Sequence, residues 1–202
     1  MNAFDSTIAW YNKNADEYTA KNKNRATLDQ IDEFVALLPK KAEVLDAGCG
    51  SGRDTALLSR KGFSVTGIDI SKGLLDVARR SFPDLNFIEG NLLRLPFIEA
   101  DFDGIWAHAS LVHFETLFDV KKALSEFYRV LKTGGILHVL VKSKIGKNKT
   151  EIASDGRFFQ YFSEGEIKDL LEEIGFKLIL LKKYNETGEN PNTEWVLALA
   201  KK

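Results

Sequence analysis

The residues of this chain best suited to hold a small ligand lie between Asp46 and Asp69. Three glycines, Gly48, Gly50 and Gly52, recur at alternate positions behind the carboxylate of Asp46. Glycine opens backbone conformations closed to other residues and lets a ligand come up against the main chain. A carboxylate such as Asp69, at the tip of the apolar run Val65-Thr66-Gly67-Ile68, can accept both hydroxyl protons of a ribose. The spacing is G-x-G-x-G, not the G-x-G-x-x-G whose third glycine packs a helix behind a pyrophosphate. Asp46 is poorly placed beside a pyrophosphate, whereas a sulfonium amino acid brings positive charge. A tight strand-to-helix turn without a ligand is the plain alternative, and the two aspartates weigh against it.

These residues need strands to carry them. From Ala42 onward short apolar runs alternate with helical periodicity, which predicts a parallel sheet covered on both faces. The expected strands are Glu43–Ala47, Ser64–Asp69, Leu85–Glu89, Phe102–Ala107 and Gly135–Lys142. Leu28, Ile31, Val35 and Leu38 form one helical stripe, ended by Pro39. Val120, Leu124, Phe127 and Leu131 form another, closed by a turn at Thr133-Gly134-Gly135. Ser163 and Glu166 have capping-box spacing before a helix that ends at Gly175. Phe176–Tyr184 and Glu194–Ala200 read as two strands around a loop with Gly188 and Pro191. With no helix between them they should pair antiparallel. The predicted fold class is thus α/β, Rossmann-like and doubly wound, a mostly parallel sheet closed by an antiparallel C-terminal hairpin.

At 202 residues and a formal net charge of −1, one domain over 1–202 is expected, with no field to attract a polyanion. No nucleic-acid partner is expected, nor a membrane, since no apolar run approaches the roughly 18 residues of a span. A cytoplasmic location is the natural expectation: the N-terminus lacks a signal-peptide pattern, and the single Cys49 excludes an intrachain disulfide. Three scattered histidines and one cysteine have no metal-ligand spacing, so no metal is expected.

The segment Val44–Asp54 resembles the first motif of the class I S-adenosylmethionine-dependent methyltransferases, and Val65–Ser71 resembles their second. The similarity continues through Phe87–Pro96, Phe102–Phe114 and Leu131–Val139. It implies a seven-stranded fold with an antiparallel last strand, S-adenosylmethionine as cofactor, and a small-molecule acceptor. On the family pattern, Gly48, Cys49 and Gly50 supply backbone contacts to the methionine part, beneath which Asp46 lies. Asp69 holds the ribose hydroxyls and Ile70 the adenine, flanked by Asn91 and Leu92. Ala107 and His108 lie near the sulfonium. Arg53 reads equally as a partner of the cofactor carboxylate or of Asp54 or Asp69. The opening segment Trp10–Tyr18 resembles a helical lid, over 1–38, with Tyr11 and Tyr18 on one side of a helix.

Methyl transfer asks mainly for positioning and exclusion of water, so acceptor residues are harder to read. The fourth strand ends in Trp106-Ala107-His108-Ala109, without the Asn/Asp-Pro-Pro-aromatic motif of enzymes that methylate exocyclic amines of nucleobases or the glutamine amide. Cys49 sits in the cofactor loop, away from where a cytosine C5 nucleophile would be needed. His113 reads either as a general base or as a structural histidine capping the next helix. His138 reads as a core histidine. Arg157, in the aromatic cluster Gly156–Phe162, suits an anionic acceptor, while Phe159 and Phe162 read equally as core. Lys142, Lys144, Lys147 and Lys149 read as a solvated loop, or as a steering patch. The expected activity is methylation of a small molecule by a monomer or homodimer. Macromolecular methylation, an NAD-dependent oxidoreductase and a non-catalytic S-adenosylmethionine-binding protein are the competing readings.

Overall fold

The computed structural model describes residues 2–22, 27–143, 149–185 and 194–202. Three helices, α1 (Ala3–Lys13), α2 (Ala15–Asn22) and α3 (Leu28–Val35), precede the first strand, β1 (Glu43–Ala47). Helices and strands then alternate: α4 (Arg53–Arg60), β2 (Ser64–Asp69), α5 (Lys72–Ser81), β3 (Asn86–Glu89) and β4 (Phe102–His108). After a 3-10 turn at Leu111–His113 come α6 (Leu117–Val130) and β5 (Leu131–Lys142). A short hairpin of β6 (Thr150–Ile152) and β7 (Phe158–Gln160) leads to α7 (Glu164–Ile174), β8 (Lys177–Asn185) and β9 (Glu194–Lys201).

The main sheet has seven strands in the order β3-β2-β1-β4-β5-β9-β8. β3, β2, β1, β4 and β5 are parallel neighbours, whereas β9 runs antiparallel to both β5 and β8. The expected hairpin is therefore present, with its second arm inserted beside β5. Strands buried on both sides read as continuous apolar runs. Along β1, Leu45 and Ala47 join one core with Val120, Leu124 and Phe127 of α6 and Ile167 and Leu171 of α7. Val44 joins the opposite core with Trp106, Leu58 and the Ile31 and Phe34 of α3. α3, grouped with the lid in the sequence, is thus a sheet-covering helix, because Ile31 and Phe34 are fully buried in that core, although Leu28 of the expected stripe is 53% exposed.

The Ser163–Glu166 capping box forms in both directions, and Gly175 ends α7 in the left-handed region at φ 112°. The expected turn at Thr133-Gly134-Gly135 is instead a bulge inside β5. The pairing jumps from Phe102↔Leu131 to Gly104↔Ile136, with Gly134 at φ 84° absorbing the extra length. The Trp10–Tyr18 helix breaks at Asn14, whose side-chain amide donates to the Trp10 carbonyl and competes with the helical ladder. Strand pairing in the 150–160 segment was not foreseen, since each arm has only three residues. The expectations for Lys144, Lys147, Gly188 and Pro191 fall outside the described residues. Among the described residues no helix is long and apolar enough to cross a membrane.

Candidate functional site

The strand order reverses between β1 and β4, and in open α/β sheets the crevice beyond the strand ends at that point is where ligands bind. The glycine loop leaves β1 there. Gly48, Gly50 and Gly52 all have positive φ, at 84°, 55° and 80°. Their freedom serves different ends. A Cβ on Gly48 would collide with the Ser110 side chain, and one on Gly52 would lie 2.6 Å from the Phe87 ring. Gly50 faces open space, its nearest neighbour being a Leu74 methyl at 3.9 Å. So Gly48 and Gly52 seat the loop, and Gly50 leaves its backbone open to a ligand. The amides of Gly48 and Cys49 both donate to the Ile68 carbonyl, at 2.8 and 3.0 Å, which binds the loop to the end of β2.

Asp69 is held beside that opening. One carboxylate oxygen accepts from the Gly50 amide at 2.8 Å and the other from the Ser71 amide at 2.8 Å. Burial pushes its pKa up, while these amides favour the charged form. Ile70 follows, half-buried. The Gly90 amide donates to the Asp69 carbonyl, bringing Asn91 and the buried Leu92 to the same edge. Asn91 spends its side-chain oxygen on the Leu93 amide at 2.9 Å.

Beneath the loop lies a second acid, which the sequence offers only as one possible partner of Arg53. Asp54 accepts from both Nε and Nη2 of Arg53, at 2.8 and 3.0 Å, from the Trp106 indole at 3.1 Å and from Thr27 at 3.2 Å. Burial opposes its ionisation, but the His108 ring, Arg53 and the indole outweigh it and hold the carboxyl well below the usual range. Of the partners open to Arg53, the structure therefore shows Asp54. Asp46, 2% exposed, accepts from the Thr55 hydroxyl at 2.6 Å. Burial and the neighbouring Asp54 charge push it up to about 8. Burial likewise raises the Cys49 thiol, so it is no nucleophile. Ala107 is fully buried within β4. His108 stacks on Trp106 with ring centroids 5.3 Å apart, and Trp106 stacks on the fully buried His138 at 3.7 Å.

Tyr11 and Tyr18 come from different helices, yet their rings meet edge to face at 5.1 Å. Tyr18 lies near Arg53, and Tyr11 near Asp69. Tyr11 also reaches across to His113, with 3.0 Å between its hydroxyl and Nε2. His113 Nδ1 lies 2.8 Å from the Phe158 carbonyl, which can only accept, so Nδ1 carries the proton and Nε2 accepts from Tyr11. Arg157 Nη1 in turn donates to the Tyr11 hydroxyl at 3.1 Å and forks onto Asp155 through Nε and Nη2. Its guanidinium lies 4.4 Å over the Trp10 ring. The structure thus joins both acceptor-side candidates, His113 and Arg157, to Tyr11. Burial lowers the His113 pKa to about 4. Both ring nitrogens of His113 are thus engaged, Nδ1 by the Phe158 carbonyl and Nε2 by the Tyr11 hydroxyl.

Asn12 completes the strap over the site. Its side-chain oxygen accepts from Ser71 Oγ and from the Gly73 amide, both at 2.9 Å. Neither Asn12 nor Asp54 stands out in a single sequence, although Asp54 directly follows the glycines and Arg53.

Residues 45–139 match the family model described as a methyltransferase domain. An O-methyltransferase of Aspergillus nomiae is 30% identical over 159 residues, covering 72% of this chain and 68% of that protein. The chain spans 54% and 56% of the length of two further O-methyltransferases it matches. Among solved structures, the Burkholderia thailandensis 1,6-didemethyltoxoflavin-N1-methyltransferase, with its substrate and S-adenosylhomocysteine bound, superposes with a TM-score of 0.80. It is 22% identical, with 96% of this chain and 86% of that one covered. A TehB-like methyltransferase of Corynebacterium glutamicum superposes at 0.71, with 22% identity and coverage of 95% and 98%.

Proposed function

The chain belongs to the class I S-adenosylmethionine-dependent methyltransferases, and on that premise we propose that it binds S-adenosylmethionine in the glycine-loop crevice and methylates a small molecule. One observation carries the cofactor half of this reading: Gly50 opens to the crevice while its own amide fixes Asp69 at the rim. The residues fit the group. Asp69 would take the ribose hydroxyls, Ile70, Asn91 and Leu92 the adenine edge, and the Gly48–Gly50 backbone the amino-acid part. When bound, S-adenosylmethionine supplies a methyl group already activated on a positively charged sulfur.

The chain's own contribution is placement. The strap carrying Tyr11, Asn12 and Tyr18 covers the crevice and excludes water, while Tyr11, fixed by His113 and Arg157, faces the acceptor side. The relatives named O-methyltransferases support a small acceptor.

Calorimetry with S-adenosylmethionine, S-adenosylhomocysteine and NADH tests the reading. The two sulfur ligands are expected to bind and NADH to give no heat; the reverse pattern would end the proposal. A panel of thiols, amines, carboxylates and oxyanions, followed by S-adenosylhomocysteine release, then identifies the acceptor class.

A further inference from the structure

We infer that the hairpin side of this site takes an acceptor that arrives already ionised at oxygen, a carboxylate or an acidic phenolate, held by Arg157 and Lys142 around the Phe159 ring. This rests on the methyltransferase reading and adds the acceptor class. Three cationic or imidazole groups converge on the Phe159 ring: Lys142 Nζ at 3.6 Å, the Arg157 guanidinium at 5.3 Å, and the His113 ring at 5.0 Å. The charges acting on His113 are, in falling order, Arg157, Lys142 and, with opposite sign, Asp155. Asp155 is the carboxylate that Arg157 forks. Arg157 spends three N–H groups on Asp155 and Tyr11, which leaves two of its five for a further oxygen.

The groups that could act as a base there are committed. His113 uses one nitrogen on the Phe158 carbonyl and the other on Tyr11. The Tyr11 hydroxyl proton goes to His113, and Asp155 is tied to Arg157. His108 lies back in the stack with Trp106. Among these described groups, an acceptor that must lose a proton meets no base that is not already hydrogen-bonded or stacked. A primary amine with an ordinary pKa near 10.4 is roughly 2,500-fold more ammonium than free base at neutral pH, and cannot accept from the two remaining Arg157 N–H groups. A carboxylate meets the opposite situation. Its oxygen lone pair forms the new C–O bond as the C–S bond breaks and the electron pair stays on sulfur. The carboxylate and sulfonium charges cancel, and no proton moves.

The test is calorimetry on the full chain saturated with S-adenosylhomocysteine, using benzoate and benzylamine as shape-matched probes. Benzoate is expected to bind and benzylamine to give no heat. Arg157→Met and Lys142→Met should each weaken benzoate at least tenfold, and Arg157→Lys, which keeps the charge, should recover part of the loss. A purely packing role for Arg157 would not distinguish Met from Lys in this way. Benzylamine binding as tightly as benzoate, no benzoate binding, or benzoate binding that survives both methionine substitutions would overturn the inference while leaving the methyltransferase reading intact. Failure of S-adenosylhomocysteine itself to bind would instead remove that reading, and this inference with it.

Discussion

Asp46 and Asp54 are both buried beneath the glycine loop, and their hydrogen bonds send them in opposite directions. Asp54 keeps its charge because Arg53, the Trp106 indole and Thr27 all donate to it. Asp54→Asn should therefore cost about 3 kcal/mol in chemical denaturation, since it leaves the Arg53 charge without its partner. Asp46→Asn should change stability by less than about 1 kcal/mol at acid pH, at or below the ordinary carboxylate range, where Asp46 is neutral in the folded and unfolded chain alike. Because the folded pKa of Asp46 is raised to about 8, its contribution is complete below the ordinary carboxylate range and is lost as pH rises through about 8. The Asn variant should therefore gain steadily on the wild type as pH rises from the ordinary carboxylate range to about 8, and keep that gain above it. His113 acts in the other sense. With its folded pKa lowered to about 4, the unfolded chain binds more protons between pH 4 and 6.5, so stability rises with pH across that window. Urea titrations at pH 7 and 4.5 should show a drop for the wild type that is smaller by about 2 kcal/mol in His113→Gln. On the proposed reading, Asp69→Ala weakens cofactor binding by about 2 kcal/mol through loss of a charged acceptor from paired hydroxyls. Unchanged affinity in calorimetry would take Asp69 out of the site.

At the level of elements, the N-terminal strap is tied on two sides. Asn12 grips the first turn of α5, while Thr7 accepts from the Phe158 amide at 2.9 Å and Tyr11 reaches His113 and Arg157. Gly73 is small for this reason: a Cβ there would sit 2.5 Å from the Asn12 carbonyl oxygen. Alanine normally favours a helix over glycine by about 1 kcal/mol. Gly73→Ala should nevertheless loosen the strap, seen as faster amide exchange over residues 2–22 with β1 and β4 unchanged. Equal protection in both proteins would show that the strap does not depend on this contact. The glycine loop, Asp69 and the strand–helix alternation were legible in the sequence because each rests on local periodicity or residue type. The Asn12 grip, the Asp54–Trp106 contact and the Arg157–Tyr11–His113 chain were not, because they join residues 52 to 146 positions apart. The β6–β7 hairpin was missed because three-residue strands carry almost no alternation to read.

For the whole molecule, the decisive element is the last. β9 occupies the slot between β5 and β8 and supplies Val196, Leu197, Ala198, Leu199 and Ala200 to the two cores. Removing residues 194–202 would strip both strands of their partner and open a long apolar edge. Such a truncation should fail to give a soluble folded protein, measured by far-ultraviolet circular dichroism and size exclusion. A soluble, helical product would mean that the first five strands stand alone.

The double attachment of the strap has a thermodynamic consequence on the proposed reading. An 11-residue helix, α1, pinned to α5 at one side and to β7 at the other, cannot adjust to one ligand without shifting the groups that meet the second. Cofactor and acceptor are then not independent tenants. Whatever factor the first adds to the affinity of the second must be returned in equal measure, whichever arrives first.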